Sequence, residues 1–229
     1  MDYYAHVSGD GFRRQTVAEH LTGTAALCRA FAGVFGAEAE GELMGLAHDI
    51  GKCTDGFQKR LLEGGPIVDH ATAGAVACTR LLRTGAAACV AGHHSGLPDF
   101  GNLKVDRAGD ATLYGRLKKG LEEKYLERCG ESGAALPQIP PETPERDLWK
   151  VSFRTRMLYS CLVDADFLDT ERFMNGERGR GGYDGIAGGA CRFHTGVVYR
   201  HAAFPGRSAA HLRAGAYHDG VVPPDGGGI

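Results

Sequence analysis

No apolar run in the 229-residue chain approaches the ~20 residues that a membrane-spanning helix needs. The opening Met1-Asp2-Tyr3-Tyr4-Ala5-His6 has neither a cationic start nor the apolar stretch of a secretory leader. Both absences point to the cytoplasm and away from a membrane. Charge of one sign is also missing: 26 Lys and Arg stand against 28 Asp and Glu, leaving −2. Such a chain has no global attraction for nucleic acid, so a polyanion would have to be held by local cations or bound metal. The seven cysteines include no Cys-x-x-Cys pair. Most sit in helical apolar surroundings, which reads as reduced, buried small hydrophobes and not as a zinc site or disulfide framework. Finally, no stretch alternates apolar and polar residues for long enough to make a strand, so the expected fold is all-α.

What the chain does have is helical periodicity. Val17, Leu21, Leu27, Phe31 and Phe35 mark a helix over 16–36. Thr16 and Glu19 stand at capping-box spacing, and Gly36 marks the stop. Further helices are expected over 38–48, 54–63, from His70 to Leu82 with Asp69 as cap, 86–92, 111–129 and 146–171. Pro137 to Pro144 reads as a connector. Residues 1–176 form the expected domain. Beyond it, over 177–229, Gly, Ala, Arg and His replace apolar periodicity, and the composition predicts a poorly ordered tail. His194, His201, His211 and His218 belong to that tail and read as solvent-exposed.

Several polar residues interrupt apolar helical surroundings: His20, His48, Asp49, His70, His93, His94 and Asp166. A histidine next to a carboxylate where the helix of 38–48 ends is costly to bury without a partner, and a metal ion suits both. Five imidazoles and two carboxylates are too many for one tetrahedral zinc. They suit two ions roughly 3.5–4 Å apart with a bridging carboxylate, for which Asp49 is the natural choice. Asp164 and Asp166 share one apolar helix, and either could be the ligand. His6 has no supporting context and is set aside. Gly51 permits a sharp turn after the pair, and Lys52 brings a positive charge fitted to steady a developing phosphate charge. The segment from Gly45 to Cys53 is no phosphate-binding P-loop. It has five residues between its glycines instead of four, Cys53 where Ser or Thr is needed, and no preceding strand. The chemistry that suits this set is metal-assisted phosphodiester hydrolysis.

In order along the chain stand Glu19-His20-Leu21, Leu46-Ala47-His48-Asp49-Ile50-Gly51-Lys52, Phe57-Gln58, Asp69-His70, His93-His94-Ser95-Gly96-Leu97 and Leu162-Val163-Asp164-Ala165-Asp166-Phe167-Leu168-Asp169-Thr170-Glu171. This series resembles the HD phosphohydrolase superfamily. Within it, the series is most similar to the HD nuclease domain of the type I CRISPR-associated helicase–nuclease (Cas three), over roughly residues 4–183. The resemblance implies an HD-domain helical bundle. It implies one divalent metal ion held by His20, His48, Asp49 and Asp166, and a second held by Asp49, His70, His93 and His94. Asp166 is favoured over Asp164 because it follows the alanine of an Ala-Asp pair. The implied catalytic residues are Asp49 and Lys52, the latter facing the scissile phosphate. The implied substrate is single-stranded DNA, displaced by a CRISPR guide-RNA surveillance complex. No helicase motif follows Glu171, so the chain is expected to be either a stand-alone nuclease subunit, with a separate helicase subunit as a further partner, or a fragment.

Arg107, Arg116, Lys118, Lys119 and Lys124 are the local cations that could hold the strand. Donor softness fits Mn, Fe, Co, Ni or Zn better than Mg. Two other functions fit the same residues. One is an HD phosphohydrolase of nucleotides or cyclic dinucleotides. The other is a non-catalytic, truncated HD interaction module, against which the full set of seven candidate ligands argues.

Overall fold

A computed structural model describes residues 2–119, 125–131, 135–139 and 145–175. The fold is mainly helical, as the periodicity predicts. The expected tail over 177–229 and its four histidines lie outside the described residues, as do Lys124 and most of the proline-rich connector. Among the described residues, no helix is long and apolar enough to cross a membrane.

The chain opens with a feature that the sequence reading did not anticipate, an antiparallel hairpin of β1 (Tyr4–Val7) and β2 (Arg14–Thr16). Its strands are four and three residues long, too short for alternation to show. Helix α1 (Val17–Gly33) follows directly, started by the capping box read from sequence. The Thr16 hydroxyl accepts from the Glu19 N–H at 3.2 Å, and Glu19 Oε2 accepts from the Thr16 N–H at 2.8 Å. Helix α2 (Glu38–Ala47) packs along α1 and ends at His48. A single 3₁₀ turn, Ile50–Cys53, then leads to α3 (Asp55–Glu63), capped by Thr54.

Helices α4 (Ala71–Arg80) and α5 (Thr84–Gly92) form a pair made almost wholly of Ala, Gly, Cys, Thr and Val. Side chains this small bring backbones close together, and the helices fill the centre of the molecule at high density. The expected helix over 111–129 is represented by α6 (Leu113–Leu117) and α7 (Tyr125–Glu131); residues 120–124 between them lie outside the described residues. Helix α8 (Leu148–Asn175) crosses the back of α1 and α5 and carries Leu158, Cys161, Leu162 and Ala165 into the core. A second apolar cluster joins Tyr3, Ala5, Val17 and Leu21 to Ile50, Cys53, Ala73 and Ala77, and so seats the hairpin and the 3₁₀ turn beside α4. All six described cysteines are buried and free. Burial pushes the thiol of Cys78 up to about 12, which suits inert packing groups.

One close approach of backbones falls at Gly45, where α2 meets α1. A β-carbon there would lie 2.3 Å from Ala25 Cα and 2.6 Å from its nitrogen. Backbone cannot yield as a flexible side chain can, so Gly45→Ala is expected to cost about 1–3 kcal/mol. The check is thermal melting: the midpoint should fall by several degrees, with the helical circular-dichroism spectrum retained below the transition.

Candidate metal centre

Four histidines of the sequence reading reach one buried point from four different elements, and each is aimed by its own Nδ1. His48 caps the C-terminus of α2, and its Nδ1 lies 2.9 Å from Gly45 O. His93 does the same at the end of α5, with Nδ1 2.7 Å from Val90 O. Both use a carbonyl that a helix end leaves without a backbone partner. His70, just before α4, places Nδ1 3.1 Å from Val68 O. His20, in the first turns of α1, places Nδ1 2.8 Å from Asp169 Oδ2. In each case an oxygen acceptor assigns a proton to Nδ1 and turns Nε2 inward.

The inward atoms form two groups. His20, His48, Asp49 and Asp166 offer ligand atoms within 4.8 Å of one another, and so do Asp49, His70, His93 and His94. Asp49 belongs to both. Its Oδ2 lies 3.3 Å from Nε2 of His20 and 3.3 Å from Nε2 of His48, whereas its Oδ1 lies 3.4 Å from His70 Nε2 and 3.3 Å from His93 Nε2. One oxygen therefore faces each group. This arrangement depends on Gly51, where a β-carbon would sit 2.2 Å from His70 O. The missing side chain lets the 3₁₀ turn press against the His70 backbone and hold Asp49 between the halves.

The donor set fits divalent metal. His93 Nε2 and Asp49 Oδ1 are buried and face each other, and neither makes a hydrogen bond. Two electron-pair donors held in this way, away from water, are stabilised by a cation between them. The two groups differ in depth. His20, His48, Asp49 and Asp166 are all buried, while His94 lies exposed beside exposed Ser95 and Gly96. One half is thus an inner site and the other opens to the surface.

All seven residues singled out as ligands come together, and of the two aspartates it is Asp166 that faces the groups. Asp166 lies 3.3 Å from His20 Nε2, whereas Asp164 is half-buried and outside both groups. Two positions along a helix turn the side chain by about 200°, so only one of the pair can face the centre. Lys52 is placed differently from the sequence reading, which turned it toward the phosphate. Its ammonium is fully buried, 2.8 Å from Asp49 Oδ2, 3.0 Å from His6 Nε2 and 3.4 Å from Ala5 O. An ammonium so enclosed sits where its three donors meet three acceptors.

Three residues at the centre escaped the sequence reading. His6, set aside there, is buried with its ring 4.6 Å from that of His20. Gln15 and Asp169 bond each other at 2.8 Å behind His20. Asp169 could have been found from its spacing of three from Asp166, which puts both on one face of α8. For His6 and Gln15 the sequence carried no signal. Of the candidate strand-binding cations, three are engaged within the chain. Arg116 donates to Ala91 O and Ser95 Oγ, Lys118 to Asp106 O, and Lys119 to Asp69 Oδ2. Arg107 is exposed.

Protonation follows the same geometry. Burial opposes charge on His20, but the carboxylates of Asp166, Asp169 and Asp49 outweigh it and raise its pKa to about 10. For His48, burial is likewise outweighed by Asp49 and Asp166, which raise it to about 9. His70 goes the other way, lowered chiefly by burial, with Asp49 opposing. For Asp49, burial raises the pKa, but Lys52 and His48 lead the groups that carry it well below the carboxylate range. In the metal-free protein the carboxylates of the inner half therefore favour the protonated form of its histidines.

Residues 17–126 match the model of the HD domain, in support of the HD phosphohydrolase superfamily. A search of curated proteins finds no match to the chain. The matched span carries six of the seven candidate ligands, His20, His48, Asp49, His70, His93 and His94; Asp166 lies beyond it and is joined to them by α8. The domain and its histidine–aspartate cluster together point to a metal-dependent phosphohydrolase.

A divalent ion entering the inner half competes with protons for His20 and His48, so metal uptake should be pH-dependent. Each proton released adds about one unit to the slope of log affinity against pH, as long as the pH stays below the pKa of that metal-free histidine. Mn²⁺ titrations in buffers of different ionisation enthalpy should show proton release at neutral pH and weaker binding as pH falls.

Proposed function

We propose that the chain is a metal-dependent nuclease that hydrolyses phosphodiester bonds of single-stranded DNA in type I CRISPR interference. The observation that carries this reading is Asp49, with one oxygen turned to each of two four-donor groups. His20, His48, Asp49 and Asp166 would hold one divalent ion, and Asp49, His70, His93 and His94 a second. Such a pair supplies Lewis-acid charge at the phosphate and activates water for attack.

The residues of the chain do the rest. Nδ1–H contacts from His48, His70 and His93 to backbone carbonyls, and from His20 to Asp169, fix the ring orientations before any metal arrives. Lys52 balances the negative charge of Asp49 from the buried side. The opening beside His94, Ser95 and Gly96 supports a substrate that reaches the centre from the surface. A strand crossing such an opening is better suited to it than a nucleotide enclosed on all sides. The order of the motifs along the chain supports the CRISPR assignment, with a guide-RNA surveillance complex and a separate helicase subunit as partners.

The test uses circular single-stranded DNA with Mn²⁺, Ni²⁺ or Mg²⁺, alongside nucleotides and cyclic dinucleotides. Cleavage of the circle, lost in His48→Ala, is the expected result. Phosphate release from the small substrates with the circle left intact would replace the nuclease by a nucleotide phosphohydrolase. Bound metal should separate the halves. Asp49→Ala is expected to bind neither ion, while His94→Ala, at the exposed edge, loses the outer one and retains the inner. Elemental analysis after gel filtration reads both.

A further inference from the structure

Behind the inner half-site, six side chains from four parts of the chain close a ring. Lys52 Nζ is 2.8 Å from Asp49 Oδ2 and 3.0 Å from His6 Nε2. His6 Nδ1 is 2.8 Å from Gln15 Oε1, and Gln15 Nε2 is 2.8 Å from Asp169 Oδ2. The same Asp169 oxygen is 2.8 Å from His20 Nδ1, and His20 Nε2 returns to Asp49 Oδ2 at 3.3 Å. All six residues are buried.

The ring has one direction. An ammonium has donors only, so Lys52 requires a lone pair on His6 Nε2 and leaves the proton on Nδ1. That proton claims the oxygen of Gln15, which turns the amide nitrogen to Asp169. Asp169 must then be an acceptor for both Gln15 and His20, which keeps the His20 proton on Nδ1 and its Nε2 toward the inner group. Burial and the neighbouring Lys52 also hold the His6 pKa well below 6.5, in keeping with a neutral ring.

We propose that His6 is a positioning residue of the metal centre: it anchors the Lys52 ammonium on Asp49 and, through Gln15 and Asp169, fixes the ligating face of His20. On this view the hairpin exists to bring His6 and Gln15 to the back of the site. Its bulge between Tyr4 and His6 falls beside the residue it delivers. The proposal rests on the two-metal reading above, and its test is arranged so that the two fail separately.

Mn²⁺ is titrated calorimetrically into the metal-free full chain and three variants. His6→Phe keeps a ring but removes the group that bonds both Lys52 Nζ and Gln15 Oε1. It is expected to weaken Mn²⁺ binding about 10–100-fold, the usual cost of losing an outer-shell partner. His6→Gln restores an acceptor for Lys52 and should recover part of the loss, which a change in packing alone would not do. Gly23→Ala attacks the far end of the ring, because its β-carbon would lie 2.1 Å from Asp169 Oδ1. The gain in helix propensity of α1 is set against displacement of a buried, hydrogen-bonded carboxylate, so weaker Mn²⁺ binding in a protein that still melts cooperatively is expected. In parallel, ¹⁵N shifts of the histidines in the metal-free wild type should show His6 neutral with its proton on Nδ1.

A folded His6→Phe protein with wild-type Mn²⁺ affinity would overturn the proposal, as would a His6 proton on Nε2. If His6→Phe does not fold, Gly23→Ala and the tautomer decide. If the wild type binds no Mn²⁺, the two-metal reading fails and the tautomer alone judges the ring.

Discussion

A single buried carboxylate organises the molecule. Asp49 carries a full negative charge where water does not reach, and such a charge is tolerated only when surrounded by compensating groups. Imidazoles approach it from α1, α2, α5 and the residue before α4, and an ammonium comes from the turn that follows it. The helices take the positions that deliver these groups. The small residues of α4 and α5 and the bare α-carbons of Gly45 and Gly51 allow the close packing that this convergence demands. Apolar burial supplies most of the stability of such a fold, but the charge at its centre dictates which faces meet.

The chemistry is divided between an inner group and an outer one. The inner group is enclosed, with His20 aimed by Asp169 and His48 by a backbone carbonyl, and its carboxylates favour the protonated imidazoles. The outer group borders the surface through His94 and draws its two other histidines from backbone-anchored positions. One carboxylate couples two environments of different depth, so access and charge are both set by where a histidine stands relative to a helix end.

Much of this was legible in the sequence. Local signals fixed the helices: the Thr16–Glu19 capping box, the four-residue apolar spacing, and the glycines and capping residues at their ends. The residues that converge were legible too, because histidines and aspartates stood in helical surroundings that offered no other use for them. What stayed hidden depends on contacts far apart in the chain. His6 gains meaning only from Lys52 and Gln15, and Gln15 only from Asp169, more than 150 residues on. The hairpin was missed because seven residues of strand are too few to show a period. Lys52 was read by its charge, which suggested a role facing the phosphate. Its burial follows from the acceptors that the hairpin provides, and the hairpin was not foreseen.

Helix α8 supplies both Asp166, in the inner group, and Asp169, behind His20. It is also the last element in chain order among those described. A ribosome that has emitted the chain through His94 has therefore released all the imidazoles of the centre, but neither of the two α8 carboxylates that face His20. The inner half gains its fourth donor and its anchoring oxygen in one event, the docking of a single helix synthesised late. Assembly of the centre is thus tied to the arrival of α8, and a nascent or clipped chain without α8 lacks one of the inner group's two carboxylates.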